Sequence, residues 1–277
     1  MKKLITRALS GLVFITIVIG AIFLGQYVYS LLFLFVTIIC MYEYYRALSN
    51  KGMKVNTIGG ITIGSAIYCI TVLVSVFDYS PITLLLILPT ILLLWILQLW
   101  KNDDKPFETI SYTACGIVYI AIPLAATLFL AKPTFAGFSN YNPLVMLGIL
   151  ILQWVSDTFA YLMGVCIGRH PLFKRHSPKK SWEGFIGGFV FCIFTGYLIG
   201  TYIETPFKTI DWIIMATMIP VIGTMGDLVE SMFKRSMDIK DTGNIMPGHG
   251  GLLDRFDSLI MATPFLLGYL LLKYLVL

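Results

Sequence analysis

Nine apolar runs of about 20 residues each, the length that crosses a bilayer as a helix, succeed one another along the chain. They lie near 9–25, 27–46, 57–77, 81–99, 110–131, 143–164, 184–203, 211–230 and 258–276. None alternates apolar and polar residues with period two, so a membrane barrel is excluded and helices are predicted. The pattern therefore predicts an all-α, polytopic integral membrane protein with about nine transmembrane helices. Only Gly25 and Gln26 part the first two runs, and Pro89, Pro123 and Pro220 mark kinks that membrane helices tolerate.

Charge gives this pattern an orientation. The 277 residues are 57% hydrophobic and 13% charged, about half the charge of an ordinary soluble domain. With the N-terminus cytoplasmic, 17 of the 20 Lys and Arg residues fall on the cytoplasmic side, leaving Lys132, Lys208 and Lys273 outside. The protein is expected in the cell inner or plasma membrane, multi-pass, with its polar loops facing the cytoplasm. Residues 1–25 lack a small-residue cleavage site, so the first run reads as a retained span and not a signal peptide. The net charge of +5 is accounted for by inside loops beside an anionic leaflet, with no nucleic-acid partner implied. Cys40, Cys69, Cys115, Cys166 and Cys192 sit in or beside the runs without paired spacing, as small core residues do.

The polar residues that break the apolar pattern gather after Gln153. The chain thus divides into an N-terminal transmembrane scaffold, residues 1–140, and a C-terminal catalytic region, residues 141–277, with loops 165–183 and 231–257. In the sixth run Gln153, Asp157 and Tyr161 share one helix face. Such a seam can simply join helices, but a carboxylate seven residues from the end of a span asks for a cation or a water path. The segment Ser177-Pro178-Lys179-Lys180-Ser181-Trp182-Glu183-Gly184 places ammonium groups and hydroxyls just before a helix start. It suits a phosphate, although juxtamembrane lysines often only anchor topology. Asp227, Glu230 and Ser231 fall at i, i+3 and i+4, and Asp254 and Asp257 at i and i+3. Two helices that each present a carboxylate pair suit a hard divalent cation, magnesium above all. Lys234, Arg235, Lys240 and Arg255 would offset that acid, with Asp241 beside them, and Gly248, Gly250 and Gly251 would let backbone approach an anion. His249 alone reads more readily as a hydrogen-bonding loop residue. With no Ser-His-Asp or Cys-His arrangement, phosphoryl or nucleotidyl transfer fits best.

The stretch Ser231–Asp257, SMFKRSMDIKDTGNIMPGHGGLLDRFD, resembles the signature of the bacterial phosphatidate cytidylyltransferase (CDP-diacylglycerol synthase) family. Gly226-Asp227, SPKKSWEG and Asp157-x2-Ala160-Tyr161 continue the likeness upstream. The resemblance implies the reaction CTP + phosphatidate → CDP-diacylglycerol + diphosphate, in a membrane-embedded homodimer using Mg2+ together with a monovalent cation such as K+. It implies Asp227 and Asp254 as principal metal ligands, with Asp257 and Glu230 supporting. Lys234 and Arg235 would join the aspartates in catalysis. Ser177, Lys179, Lys180, Ser181, Glu183, Ser231, Lys240, Asp241, Gly248, His249, Gly250, Gly251, Arg255 and Asp157 would bind CTP and phosphatidate.

Two other readings stand beside it. A CTP-dependent transferase or kinase with another lipid acceptor could reuse the same site. A cation-coupled transporter would also keep Asp157 and Asp227, yet it needs no Lys- and Gly-rich loop, and no inverted repeat is visible. The orientation has a direct test. Cysteines replacing Ser177 and Asn244 in a cysteine-free protein are expected to react with an impermeant thiol reagent only from the cytoplasmic side, and one replacing Asn140 only from outside. Labelling of Ser177→Cys and Asn244→Cys from opposite faces would contradict the shared-loop expectation.

Overall fold

The computed structural model describes residues 2–276, apart from 137, 139, 174, 176, 247 and 249. In order, the helices are α1 (Lys2–Phe23), α2 (Gln26–Asn50), α3 (Thr57–Ser75), α4 (Ile87–Leu99), α5 (Pro106–Gly116), α6 (Ile122–Ala131) and α7 (Pro143–Ile167). A hairpin follows, β1 (Pro171–Phe173) and β2 (Ser177–Ser181), then α8 (Trp182–Tyr202), α9 (Thr209–Ser236) and α10 (Leu253–Leu271). A π-helical turn, Ile117–Ala121, fuses α5 and α6.

Among the described residues, eight helical stretches are long and apolar enough to cross a membrane. They are Gln26–Asn50, Thr57–Ser75, Pro81–Leu99, Pro106–Ala131, Pro143–Ile167, Trp182–Tyr202, Thr209–Ser236 and Leu253–Leu275. The first of the nine expected runs falls within α1, whose described side chains give an apolar stretch at Leu9–Phe23. The protein is an all-α, multi-pass membrane protein.

The boundaries near the polar loops differ from those expected. Helix α9 continues six residues beyond the end predicted at 230, and α10 begins at Leu253, not 258. Lys234 and Arg235 thus lie on the last turn of α9 and not in a loop, where cations complement the helix dipole and Lys234 reaches back to Glu230 at i,i+4. In the loop expected at 165–183, Pro171–Phe173 and Ser177–Ser181 pair as antiparallel strands.

The chain forms two compact units, residues 1–134 with 239–256, and residues 135–238 with 257–277. The glycine-rich segment 239–256 clusters with the N-terminal helices. In this first unit Tyr45 is fully buried, its hydroxyl donating to the Thr113 carbonyl at 2.7 Å. Gly60 and Gly116 admit its ring, since a Cβ at either would lie 2.5–2.6 Å from it. Between α4 and α5, Asp103 accepts hydrogen bonds from the Thr109 hydroxyl (2.6 Å) and the Lys105 amide (3.1 Å), and these hold its carboxyl down at about 2.

The second unit is built on small residues. The α8 glycines Gly184, Gly187 and Gly188 lie against Ala160, Met163 and Ser156 of α7, and Gly196 lies against Trp212 and Ala216 of α9. Close backbone approach through small residues is how helices associate in lipid, where no hydrophobic force drives them together. Trp212 is fully buried against Gly148, and its indole N–H donates to Thr205 Oγ1 at 2.8 Å. A Cβ on Gly188 would stand 2.6 Å from the Ser156 carbonyl oxygen, whereas one on Gly268 meets nothing within 4 Å. Gly188→Ala is therefore expected to destabilise by about 1–3 kcal/mol, seen as a drop of about 3 °C or more in thermal midpoint in detergent. Gly268→Ala should leave the midpoint unchanged or raise it.

Candidate active site

In the second unit α9 and α10 bring three carboxylates together. Asp227, Glu230 and Asp257 each offer an oxygen, and these oxygens lie within 4.8 Å of one another. The i,i+3 spacing puts Asp227 and Glu230 on one face of α9. Gly226 lets the helices meet, because a Cβ there would be 2.8 Å from the Asp257 carbonyl oxygen. Glu230 and Asp257 are buried, at 1% and 8% exposure.

Cations flank this group. Lys180 Nζ lies 2.6 Å from Asp227 Oδ2, and Lys234 Nζ lies 2.5 Å from Glu230 Oε2. The Ser231 hydroxyl donates to Asp227 Oδ1 at 3.3 Å, as its i+4 position implied. On α7, Gln153 Nε2 donates to both oxygens of Asp157 at 3.3 Å, so the predicted polar seam is present. Tyr161 on that face is exposed. An all-oxygen, carboxylate-only donor set beside movable ammonium groups fits a hard divalent cation better than zinc or copper.

The basic segment resolves into distinct roles. Lys180 at the end of β2 reaches Asp227, whereas Lys179 is exposed. The Ser181 hydroxyl caps α8, accepting the Gly184 amide at 3.2 Å. Glu183 turns back to the hairpin base: its Oε2 accepts the Arg169 and His170 amides at 3.1 and 3.2 Å, and Oε1 lies 2.5 Å from His170 Nδ1. Ser177 opens β2 and is half-buried; Arg235 is exposed on α9.

The remaining expected residues belong to the first unit. Asp254, expected as a principal ligand alongside Asp227, has an oxygen that accepts the Thr242 amide at 3.0 Å and the Gly251 amide at 2.7 Å. Gly248 and Gly250 have φ of 77° and 86°, the left-handed region that favours glycine. A Cβ on Gly250 would also fall 2.7 Å from Asp254 Oδ2. Lys240, Asp241 and Arg255 are exposed, and Gly251 is buried. His249 lies outside the described residues.

One acid escaped the sequence reading. Glu43, on α2, is 2% exposed and accepts the Leu252 amide at 3.1 Å and the Leu253 amide at 2.9 Å. The signal was available, since the rule that singled out Asp157, an acid inside an apolar run, applies equally to Glu43.

The model of the cytidylyltransferase family matches residues 5–274. The chain belongs to that family. It is 29% identical to the phosphatidate cytidylyltransferase of Bacillus subtilis (strain 168) over 269 residues, covering 96% of this chain and 95% of that protein. It is 33% identical to the protein of that name from Thermotoga maritima over 170 residues, 59% of this chain and 60% of the relative. With the Staphylococcus aureus (strain COL) protein of the same name, identity reaches 45% over 118 residues, 42% of this chain and 45% of the relative. Family membership makes the protein a nucleotidyltransferase.

The two adjacent lysines, indistinguishable by sequence, should separate by kinetics. Lys180→Gln removes a charge-assisted contact worth about 1.5–3 kcal/mol and is expected to lower kcat/KM about 10- to 100-fold. Lys179→Gln should stay within about threefold, as an exposed charge does. Equal effects of the two would contradict this assignment.

Proposed function

We propose that the protein transfers the cytidylyl group of CTP to phosphatidate, releasing diphosphate and forming CDP-diacylglycerol for phospholipid synthesis. Family membership along residues 5–274 and the names of the relatives support the substrates. The observation that carries the chemistry is the group Asp227, Glu230 and Asp257 with Lys180 and Lys234 at its edge. The site is assigned to the cytoplasmic face by the partition of basic residues, and the working unit is taken as a homodimer.

The reaction joins two anions. The phosphatidate phosphate is itself the nucleophile and is ionised at neutral pH, so no protein base of raised affinity is required. What the site must supply is alignment and cancellation of charge. Lys180 and Lys234, at present on carboxylates, are placed to exchange those partners for phosphate oxygens, and Arg235 extends the same cationic edge. Asp227, Glu230 and Asp257 would hold magnesium; the resemblance to the family also implies Asp254 as a ligand and a monovalent ion such as K+. A metal held there would supply positive charge to offset that of the transferring phosphoryl group and of the departing diphosphate. Asp157 and Gln153 lend a polar wall to the same unit. Ser177 and Ser231 would add hydroxyl donors for phosphate, and the resemblance implies backbone donors at Gly248, Gly250 and Gly251 as well.

Detergent-purified protein supplied with CTP labelled in the α-phosphate tests the assignment, using phosphatidate, diacylglycerol and a polyprenyl phosphate as acceptors. Label is expected in a CDP-lipid from phosphatidate alone, with diphosphate released. Transfer to another acceptor in its place would contradict the substrate. Asp227→Asn and Asp254→Asn should each abolish turnover while the protein still purifies intact, since a lost ligand charge costs several kcal/mol of barrier, roughly a thousandfold in rate. A variant that keeps about a tenth of the activity at saturating magnesium would remove that residue from the ligand set.

A further inference from the structure

The buried acid Glu43 has no place in the chemistry above, yet it sits at the base of the glycine-rich segment. Its two oxygens divide the work: Oε1 accepts the Leu252 amide, and Oε2 accepts the Leu253 amide and, at 3.5 Å, the Thr242 hydroxyl. Those amides open α10, where free N–H groups and the helix dipole both favour a negative charge. The contact depends on absent side chains. A Cβ on Gly251 would stand 2.5 Å from Glu43 Oε2, and one on Gly243 would also strike its carboxylate.

Asp254 grips the same segment from its other side, through the Thr242 and Gly251 amides, and the Met246 amide closes the tip on the Gly250 carbonyl at 3.1 Å. The two acids therefore share one stretch of backbone. Glu43 holds Leu252 and Leu253, Asp254 holds Thr242 and Gly251, and Thr242 touches both. A carboxylate buried to this degree is costly in an apolar run unless its bonds are made. Mere helix capping would be served by an exposed Ser or Asp at the N-cap. A distant acid on α2 does something a local cap cannot, which is to tie the segment to the helices of its unit.

We propose that Glu43 is a positioning residue: it clamps Thr242–Leu253 against α2 and so fixes the carboxylate of Asp254 for nucleotidyl transfer. This rests on the assignment of Asp254 to the site. The clamp itself is independent of it, and the test reads the two separately.

The full-length protein, with its five native cysteines replaced, carries a reporter at Met246→Cys, a site 8% exposed, or a control at Thr263→Cys, fully buried in the other unit. Maleimide labelling in detergent and steady-state turnover are measured with Glu43 and with Glu43→Gln. Labelling of Met246→Cys is expected to quicken about fivefold or more through local opening, with Thr263→Cys unchanged. In the same protein kcat should fall about tenfold or more while KM for CTP stays within about threefold, as misalignment without lost binding requires. Glu43→Asp, which keeps the charge on a shorter stem, should recover part of the turnover. Unchanged labelling at Met246→Cys overturns the clamp, and equal acceleration at Thr263→Cys reduces Glu43 to general stability. Faster labelling with intact kcat overturns the link to catalysis. If Glu43→Gln does not purify folded, Gly251→Ala, which pushes the carboxylate away with Glu43 in place, must give the same pattern or the proposal fails. Loss of cytidylyl transfer already in the Glu43 protein would contradict the assigned reaction instead, and labelling would still decide the clamp.

Discussion

Carboxylates placed in apolar helices must find partners, and the organisation of this protein follows from how each one does. Asp227 and Glu230 take lysines, Glu43 takes the amides of a helix start, and Asp157 takes the amide of Gln153. Away from the candidate site the same rule operates. Asp211, fully buried, gathers Lys273 and the hydroxyls of Tyr269 and Tyr274, and Lys132 binds Asp78 at 2.7 Å. The two kinds of solution differ in use. Asp211 adds the hydroxyls of Tyr269 and Tyr274 and the Lys208 amide to its lysine, which suits a strut joining the start of α9 to the end of α10. Asp227 and Glu230 hold ammonium groups on flexible stems, partners that can be traded for a metal ion or a phosphate at modest cost.

That exchange needs helices close enough for three acids to meet. Glycine supplies the closeness in the second unit: Gly226 lets α9 touch α10 beside Asp257, and Gly184, Gly187 and Gly188 seat α8 on α7 behind Lys180. The hairpin before α8 then fixes which lysine points inward. Glu183 and His170 fasten its base, Ser181 caps the helix, and Lys180 is left to reach Asp227 while Lys179 faces outward. Glycine and charge thus act together. Small residues bring the backbone near, and the charges they bring near are those that chemistry on a polyanion requires.

Much of this was legible from the sequence because membrane helices and helix-end acids leave periodic traces. The long apolar runs, the shared face of Gln153 and Asp157, and the i,i+3 and i,i+4 relations of Asp227, Glu230 and Ser231 all reappear in the structure. What the sequence hid is what spacing cannot encode. The hairpin at 171–181 looked like a loop, since three- and five-residue strands carry no usable alternation. Helix α9 runs past the point where hydropathy fades, because the i,i+4 Glu230–Lys234 pair favours helix where charge begins. Glu183, expected among the substrate-binding residues, ties the first turn of α8 to the backbone before β1, a contact that spacing does not reveal. Glu43 stands out as an acid inside an apolar run, but its partners stay hidden, since Leu252 and Leu253 are two hundred residues away and contribute only backbone N–H groups.

Asp227, Glu230 and Asp257 are proposed to hold a divalent metal, and direct binding tests this without depending on turnover. Manganese, which takes the same hard oxygen ligands as magnesium, can be titrated into the purified protein and its bound fraction read by electron paramagnetic resonance. The account predicts a bound signal that magnesium displaces and that is lost in Asp257→Asn, a residue of the group lying on the other helix from Asp227 and Glu230. Manganese bound equally by the native protein and by Asp257→Asn, or bound by neither, would contradict it.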